Sequence, residues 1–578
     1  MRTFATTKEI NQHSKLIMQK IKILFVPVAA ALLASCSGKL GALSADYFNV
    51  TPNPLESQGG QVEATINGMF PEKYMNKKAV VTVTPQLRFQ TAEGLRYVAG
   101  QSATFQGEKV MGNDQTIAYK TGGNYTMRSS FKYVPDMQQS DMYLTFDAKI
   151  GNKTVKVPEV KVATGVVATS ELYKRTLTTA NPALAKDAFQ RISKQKQEAN
   201  IKFLIGQAQL RKSELQNNSV KEFVRLLSDI VKNQETMALN NVEVSAYASP
   251  DGGYDINDRL AGKRQDVTDN YVQQQMKKAN AEAPVDTKYT AEDWEGFQEL
   301  VAASNIQDKD VILRVLSMYK DPEEREQQIK NISSAFRELA DGILPQLRRS
   351  RMTINYELIG RSDAQILQQI NDDAKQLSVE ELLYGATLYN DNASAEAAYQ
   401  KATQLYDRDA RAFNNLARLA YAKGDYDGTL QWIEKALRVD NSQPEAYANL
   451  GLLALKQGDL QNAENYIAKA SQANGLNEVL GNLHLAQGKY AQAEQDFNGI
   501  LSNSAALAQI LNKNYQAAAS TLKSVKNADA TTDYLRAILN ARTGNTTEAA
   551  AALRQAIAKD ASLATYAAKD LELVKVAK

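Results

Sequence analysis

The sequence of 578 residues has one cysteine, two histidines and two tryptophans. A single cysteine cannot make an internal disulfide, and it cannot build a cysteine-ligated zinc site. Of the two histidines, His13 lies in the extreme N-terminal stretch, so only His484 is left for general acid–base chemistry, between Leu483 and Leu485 on an apolar helix face. No Gly-x-x-x-x-Gly-Lys-Ser/Thr loop and no Gly-x-Ser-x-Gly elbow occurs. Charge is also nearly balanced, at +3 net, which gives no general attraction to nucleic acid. Catalysis, cofactor binding and nucleic-acid binding therefore find no footing, and the carboxylate pairs present do not stand out from solvated helix faces. With 43% hydrophobic and 23% charged residues, the chain is ordinary globular protein, long enough for three or four domains.

The lone cysteine has a telling address. Ile21 to Leu33 is almost wholly apolar, with Lys20 and Lys22 at its start, and Leu33-Ala34-Ser35-Cys36 closes it. A basic segment, an apolar core and small residues at a cut make a secretory signal. Leu-Ala-Ser-Cys resembles the bacterial lipobox, which implies that residues 1–35 are removed and that Cys36 becomes the lipidated first residue. The true start is expected at Met18. An incidental cysteine in an ordinary signal or anchor segment is the competing reading. Lipidation implies an outer-membrane address on the periplasmic side, because no acidic cluster follows Cys36 in the lipidated N-terminus 36–44. No other stretch is long and apolar enough to span a bilayer.

Residues 45–168 read as short strands. Ala79–Thr84 and Leu87–Phe89 are rich in Val, Thr and Phe, and Met142–Ile150 and Thr154–Val157 flank a Gly151-Asn152 turn. This predicts a β-sandwich of one or two units. Tyr119, Tyr125, Phe131 and Tyr133 are expected in its core, with a ligand face as the alternative. Residues 169–199 are expected to be a helical connector on the surface, started by Asn181-Pro182.

Val242, Val244 and Ala246 alternate with Glu243 and Ser245 as in a half-buried strand. Ser249-Pro250-Asp251-Gly252-Gly253 forces a turn, and Leu260, Arg264, Val267 and Tyr271 then follow helical spacing. Asn257, Leu260 and Arg264 match the Asn-x-x-Leu-Ser-x-x-Arg-Ala motif of OmpA-like periplasmic domains, while Ala246 to Ser249 stand where that family has Gly-His-Thr-Asp. The Glu292-Asp293-Trp294 helix and the Arg348-Arg349 strand entry resemble the long OmpA-like variety of Bacteroidota. The resemblance covers 200–360, with Ser219 expected to cap a helix and a helical insertion at 278–345. It implies an α+β fold and a peptidoglycan site at Asp251, Asn257 and Arg264, in which an Asp and an Arg hold the charged ends of diaminopimelate. Arg348, Arg349 and Arg351 are expected to be structural or wall-contacting.

Beyond a linker at 361–375 the chain repeats. Phe413, Leu416, Ala417, Gly424, Tyr426, Ile433 and Ala436 recur as Tyr447, Leu450, Gly451, Gly458, Leu460, Ile467 and Ala470. The period of about 34 is that of the tetratricopeptide repeat (TPR). Residues 376–578 should form an all-α solenoid, with a leading unit around Leu382 to Ala402, eroded units at 475–527 and a closing helix at 564–574. Phe413 and Leu450 are expected in the core. Asn414, Arg418 and Asn449 are expected on an exposed concave face that binds protein.

The expected fold class is multidomain: an N-terminal β-sandwich, a central α+β OmpA-like domain with a helical insertion, and a C-terminal TPR solenoid. The leading functional expectation is a non-enzymatic outer-membrane lipoprotein that scaffolds envelope proteins through the array. The alternatives are a peptidoglycan tether and a hydrolase with carboxylates in the β domain.

Overall fold

The computed structural model describes residues 40–306, 308–331 and 337–576. The signal segment and Cys36 lie outside the described residues. Contacts divide the chain into two compact units: residues up to Lys186 with those from Tyr389 onward, and Asp187–Leu388.

The first unit opens with two β-sheets. One runs in the order Phe48–Thr51, Gln61–Phe70, Leu55–Gln58, Val166–Val167, with Gly123–Lys132 also paired to Gln61–Phe70. The other is built around Asp141–Ile150 and Ala79–Thr91. Residues of Gln61–Phe70 and Ala79–Thr91 alternate buried with less buried, and their inward side chains, Ile66 and Phe70 against Val81, Val83, Leu87 and Leu144, share one core. The two sheets therefore make one unit, not two. The two short runs expected at 79–84 and 87–89 are a single strand that passes through Pro85. Proline fits because residue 85, though opposite Leu144, turns its carbonyl the other way, to Gly100 N–H at 2.8 Å. On that side Ala103–Gly107 pairs only as far as Val83 and Gly94–Ala99 begins at Gln86, so no strand needs an N–H from residue 85. Tyr125 and Phe131 are buried, and Tyr119 and Tyr133 are half-buried.

Antiparallel helix pairs complete the first unit. Ala410–Ala422 packs on Tyr426–Val439, Pro444–Gln457 on Leu460–Ile467, and Leu476–Ala486 on Tyr490–Asp496. Further pairs are Asn503–Leu511 with Tyr515–Ser524 and Ala530–Arg542 with Thr546–Lys559. Small residues set the spacing: a Cβ on Gly451 would come 2.5 Å from Ile467 Cγ1. Phe413 and Leu450, expected in the core, are half-buried at its margin, while Leu452, two residues on from Leu450, is fully buried. The closing helix is shorter than expected, Ser562–Ala567, followed by turns that bury Asp570 and Leu573. The boundary at Tyr389 runs through the expected leading repeat, so Leu382 and Ala386 pack in the second unit and Ala395, Tyr399 and Ala402 in the first.

The second unit holds a four-stranded sheet in the order Ile192–Lys202, Arg349–Ile359, Met237–Tyr247, Val285–Thr290, the last pairing parallel. Asn218–Lys232 and Tyr254–Ala279 cover one face, with Phe223, Leu227, Val272 and Met276 on Val242, Val244, Met352 and Ile354. The first of these helices is capped by Asn217, whose side chain accepts from Val220 N at 2.8 Å; Ser219 instead bonds to Asn217. Val285–Thr290 is a strand inside the stretch expected to be wholly helical, and helices Trp294–Ala303, Lys309–Met318 and Pro322–Asn331 follow it.

The surface helix expected at 169–199 is not there. Residues 169–179 form short turns of 3-10 and α type, 180–190 have no regular structure, and Ile192–Lys202 is an edge strand. Nor does 169–186 lie on the surface. Leu172, Leu177, Ala180, Ala183 and Ala185 are buried.

Candidate functional site: a groove in the helical array

The first helices of the repeats carry asparagines at corresponding positions. Asn415, Asn449 and Asn482 stand 34 and 33 residues apart, on Ala410–Ala422, Pro444–Gln457 and Leu476–Ala486. Stacking one pair on the next lines them along the inner face. Asn414, Asn415, Asn449 and Asn482 are each no more than 1% exposed.

Asn482 bonds within the array, to Glu478 C=O and Ser504 Oγ, but what Asn414, Asn415 and Asn449 face is the connector. Ala183 N–H donates to Asn449 Oδ1 at 2.6 Å, and Ala183 C=O accepts from Asn449 Nδ2 at 3.0 Å and Asn414 Nδ2 at 3.1 Å. Asn415 repeats the arrangement on Ala185, at 2.9 Å and 3.0 Å. Asn474 Nδ2 donates to Leu184 C=O, and Arg411 to Lys186 C=O. Tyr421 Oη, on the same helix as Asn415, donates to Leu177 C=O at 2.7 Å; further toward the C-terminus of the array, Asn181 N–H points at Glu478 Oε1 and Thr176 Oγ1 bonds to Ser504 Oγ. Arg175 pairs with Asp560, and Thr169 with Glu572. At the sandwich end, Glu171 accepts from Ser57 Oγ at 2.7 Å and Ser170 Oγ donates to Ser57 C=O.

Asn414 and Asn449 thus do hold polypeptide, but they are buried, and what they hold is the chain's own Ala183. Arg418 is half-buried and takes no part in these bonds. Asn415, Asn474 and Glu478 were missed. The recurrence of asparagine at 415, 449 and 482 was the signal that could have found the first of them.

Burial leaves its mark on the groove's acids. Desolvation pushes the Glu478 carboxyl up to about 7, against a weaker opposing pull from Asn181 N–H. Desolvation likewise pushes Asp570 up to about 6, although Tyr534 Oη donates to it at 2.8 Å. His484 bonds to Asp496 at 2.5 Å on the flank of the array. Among the described residues no group of three or more His, Cys, Asp and Glu side chains is placed to hold a metal ion, and no helix is long and apolar enough to cross a membrane.

The second expected site lies in the other unit. Arg264 is 1% exposed and donates to three carbonyls, Tyr247 at 2.8 Å, Gln207 at 3.0 Å and Leu204 at 3.3 Å. Desolvation first, and the nearby Arg348 second, push its guanidinium down to about 10. Asp251 pairs with Arg348 at 2.8 Å and accepts from Ser249 Oγ. Asn257 Nδ2 closes the loop on Gly252 C=O at 2.7 Å. The three residues do converge, but each is engaged by the protein itself. Arg349 pairs with Asp293 at 2.9 Å and lies over the Tyr247 ring, and Arg351 reaches Glu198 at 3.8 Å.

Comparisons with known proteins bear on the array. Family models described as TPR repeat and tetratricopeptide repeat match residues 417–458 and 444–475. The C-terminal region carries tetratricopeptide repeats. No curated protein matches the chain in sequence. Similar solved structures include a tetratricopeptide repeat protein from Parabacteroides merdae, 16% identical, covering 37% of this chain and 90% of that one at a TM-score of 0.26. PilF of Pseudomonas aeruginosa is 20% identical over 33% of this chain and 92% of its own, at 0.24. TTC0263, a TPR protein of Thermus thermophilus, is 17% identical over 37% and 97%, at 0.17.

Proposed function

We propose that the chain is a lipid-anchored scaffold of the bacterial outer membrane, held through Cys36 on the periplasmic side, which gathers envelope proteins and catalyses no reaction. One observation carries the reading. The array grips an extended main chain with buried amide side chains, which is what a protein-binding module needs. The lipobox-like Leu33-Ala34-Ser35-Cys36 supports the anchor, and the OmpA-like resemblance at Asn257, Leu260 and Arg264 supports the envelope address. A peptidoglycan tether is the weaker reading, because Asp251 is spent on Arg348 and Arg264 on three carbonyls.

The test is crosslinking of the tagged full chain in membranes, followed by purification and mass spectrometry, beside a Cys36→Ala variant. Acyl chains contribute about 0.8 kcal/mol per buried CH₂, so several hold the protein firmly. The variant is expected to leave the membrane fraction or stall in export, and to lose the envelope proteins captured by the wild type. Full membrane retention of the variant would sink the lipid anchor. A wild type that captures no envelope protein would sink the scaffold.

A further inference from the structure

We infer that the groove of the array is a peptide-binding site whose ligand is carried in cis: residues 180–186 of the connector occupy it and shut it to other polypeptides. This rests on reading the array as a protein-binding module, and it names the ligand of that module.

The contacts are those of a bound peptide. Residues 180–186 form no helix or strand of their own. Their main-chain groups at 181, 183, 184, 185 and 186 are instead taken by the side chains of Glu478, Asn449 with Asn414, Asn474, Asn415 and Arg411. Readout of the main chain is indifferent to which side chains the ligand carries, so size does the selecting. Ala180, Pro182, Ala183 and Ala185 are buried, whereas Asn181 and Lys186 are exposed. Gly475 lies against Ala183, where a methyl on the glycine would just reach van der Waals contact, 3.6 Å from Ala183 Cα. The groove therefore takes an extended segment with methyl-sized side chains or proline at the buried positions.

Occupancy in cis follows from tethering. The connector is anchored on its N-terminal side by Leu177, fully buried with its carbonyl on Tyr421 Oη, and by Thr176 on Ser504. A ligand linked this closely has an effective concentration on the order of millimolar or above. A free segment of the same chemistry competes poorly against that.

The test uses the full chain and a labelled synthetic peptide of the sequence 178–186. In the variant Ala183→Trp with Ala185→Trp, the connector no longer fits. We expect this variant to bind the peptide at least about tenfold more tightly than the wild type, and Asn415→Ala with Asn449→Ala, added to it, to abolish the gain. Equal binding by wild type and variant would show an exchangeable groove and overturn cis occupancy. No binding by a variant that keeps the wild-type circular dichroism spectrum would overturn the peptide site itself. Where the variant fails to fold, hydrogen exchange on the wild type decides. The Ala183 and Ala185 amides should exchange as slowly as the array core, and fast exchange there refutes the inference. Because none of these readouts needs a membrane or a partner, they stand or fall separately from the capture experiment above.

Discussion

Asn449 clasps Ala183 at both of its main-chain polar groups, accepting from its N–H at 2.6 Å and donating to its C=O at 3.0 Å. Asn415, one repeat earlier, does the same to Ala185. One repeat of the array thus corresponds to two residues of the connector, and the chain direction of the connector runs against that of the repeats.

From this comes a stability prediction for Asn449→Ala. The substitution leaves the Ala183 N–H buried without a partner, and Asn414 Oδ1 loses the donor it has at 2.9 Å. A buried unsatisfied group costs about 1–3 kcal/mol. Chemical denaturation of the full chain should show a loss of that size. Asn449→Asp should do at least as badly, because an ionised carboxylate cannot donate to Ala183 C=O. The sequence alone suggested an exposed Asn449; its 1% exposure reverses that.

Glu478 should make the array sensitive to pH. Burial raises its carboxyl from 4.5 in the unfolded chain to about 7 in the folded one. A carboxyl whose pKa is raised by folding binds its proton more tightly in the native state. Its contribution therefore favours folding at low pH and is lost as pH rises from about 4.5 through about 7. At about 1.4 kcal/mol per pKa unit, the ionised group costs on the order of 3 kcal/mol at pH 8. Asp570, raised from 3.8 to about 6, acts in the same sense over a lower window. Glu478→Gln keeps an acceptor for Asn181 N–H and removes the titration. It should match the wild type near pH 5 and exceed it in stability at pH 8, as read from denaturation midpoints at the two values. Equal midpoints at pH 8 would refute the assignment.

The repeats were legible because helix packing imposes a period on small and apolar residues, seen at Ala417, Gly451, Ile433 and Ile467. The groove was less so. Asn415 and Asn449 obey the same period, but a polar residue on a helix reads as exposed unless its buried partner is known, and that partner lies over two hundred residues away in sequence. The connector hid for a related reason. Leu177, Ala180, Ala183 and Ala185 have no period of their own because the array sets their burial. The stretch 192–199 reads as helical surface although it belongs to the edge strand Ile192–Lys202, because Lys194 and Lys196 are exposed as edges commonly are. At the second site, Asn257 and Arg264 could be found from spacing, but two of the three carbonyls that engage Arg264, those of Leu204 and Gln207, come from a loop whose course no pattern reveals.

The eroded repeat at 503–524 gives a third prediction. In the other repeats a glycine ends the first helix in the left-handed region, as Gly424, Gly458, Gly488 and Gly544 do with φ of +75° to +82°. Lys513 stands at that place with φ +64°. A side chain in the left-handed region costs about 1–2 kcal/mol, against about 0.5–1 kcal/mol of extra unfolded-state entropy for glycine. Lys513→Gly should therefore stabilise the array by about 0.5–1 kcal/mol, seen as a raised denaturation midpoint. Sequence erosion at 475–527 was expected to mark the weak zone. Yet Ala505, Ala506, Leu507 and Ile510 are fully buried in the same core as Leu172 and Leu177, so the strain is local to one turn.

The last prediction separates the two roles open to Arg264. As a ligand-binding arginine it would keep guanidinium N–H groups free for a carboxylate, and its loss would leave the fold intact. Here its Nε and both terminal nitrogens each donate one bond, to Gln207, Tyr247 and Leu204, tying the loop after Ile192–Lys202 and the end of the strand Met237–Tyr247 to the helix Tyr254–Ala279. Arg264→Lys retains the charge, but a single ammonium at the end of a flexible stem cannot span three carbonyls held in a planar fork. At least one buried carbonyl is left without a donor, at about 1–3 kcal/mol. Both Arg264→Lys and Arg264→Ala should therefore lower the stability of the second unit, followed by denaturation of the full chain, with the alanine variant worse because it also leaves a void beside Phe203, over whose ring the guanidinium sits at 5.1 Å. Asp251→Asn, which weakens one ion pair of a partly exposed group, should cost less than either. If Arg264→Lys keeps wild-type stability while sedimentation with purified peptidoglycan is lost, the arginine is a ligand group and the tether reading regains its footing.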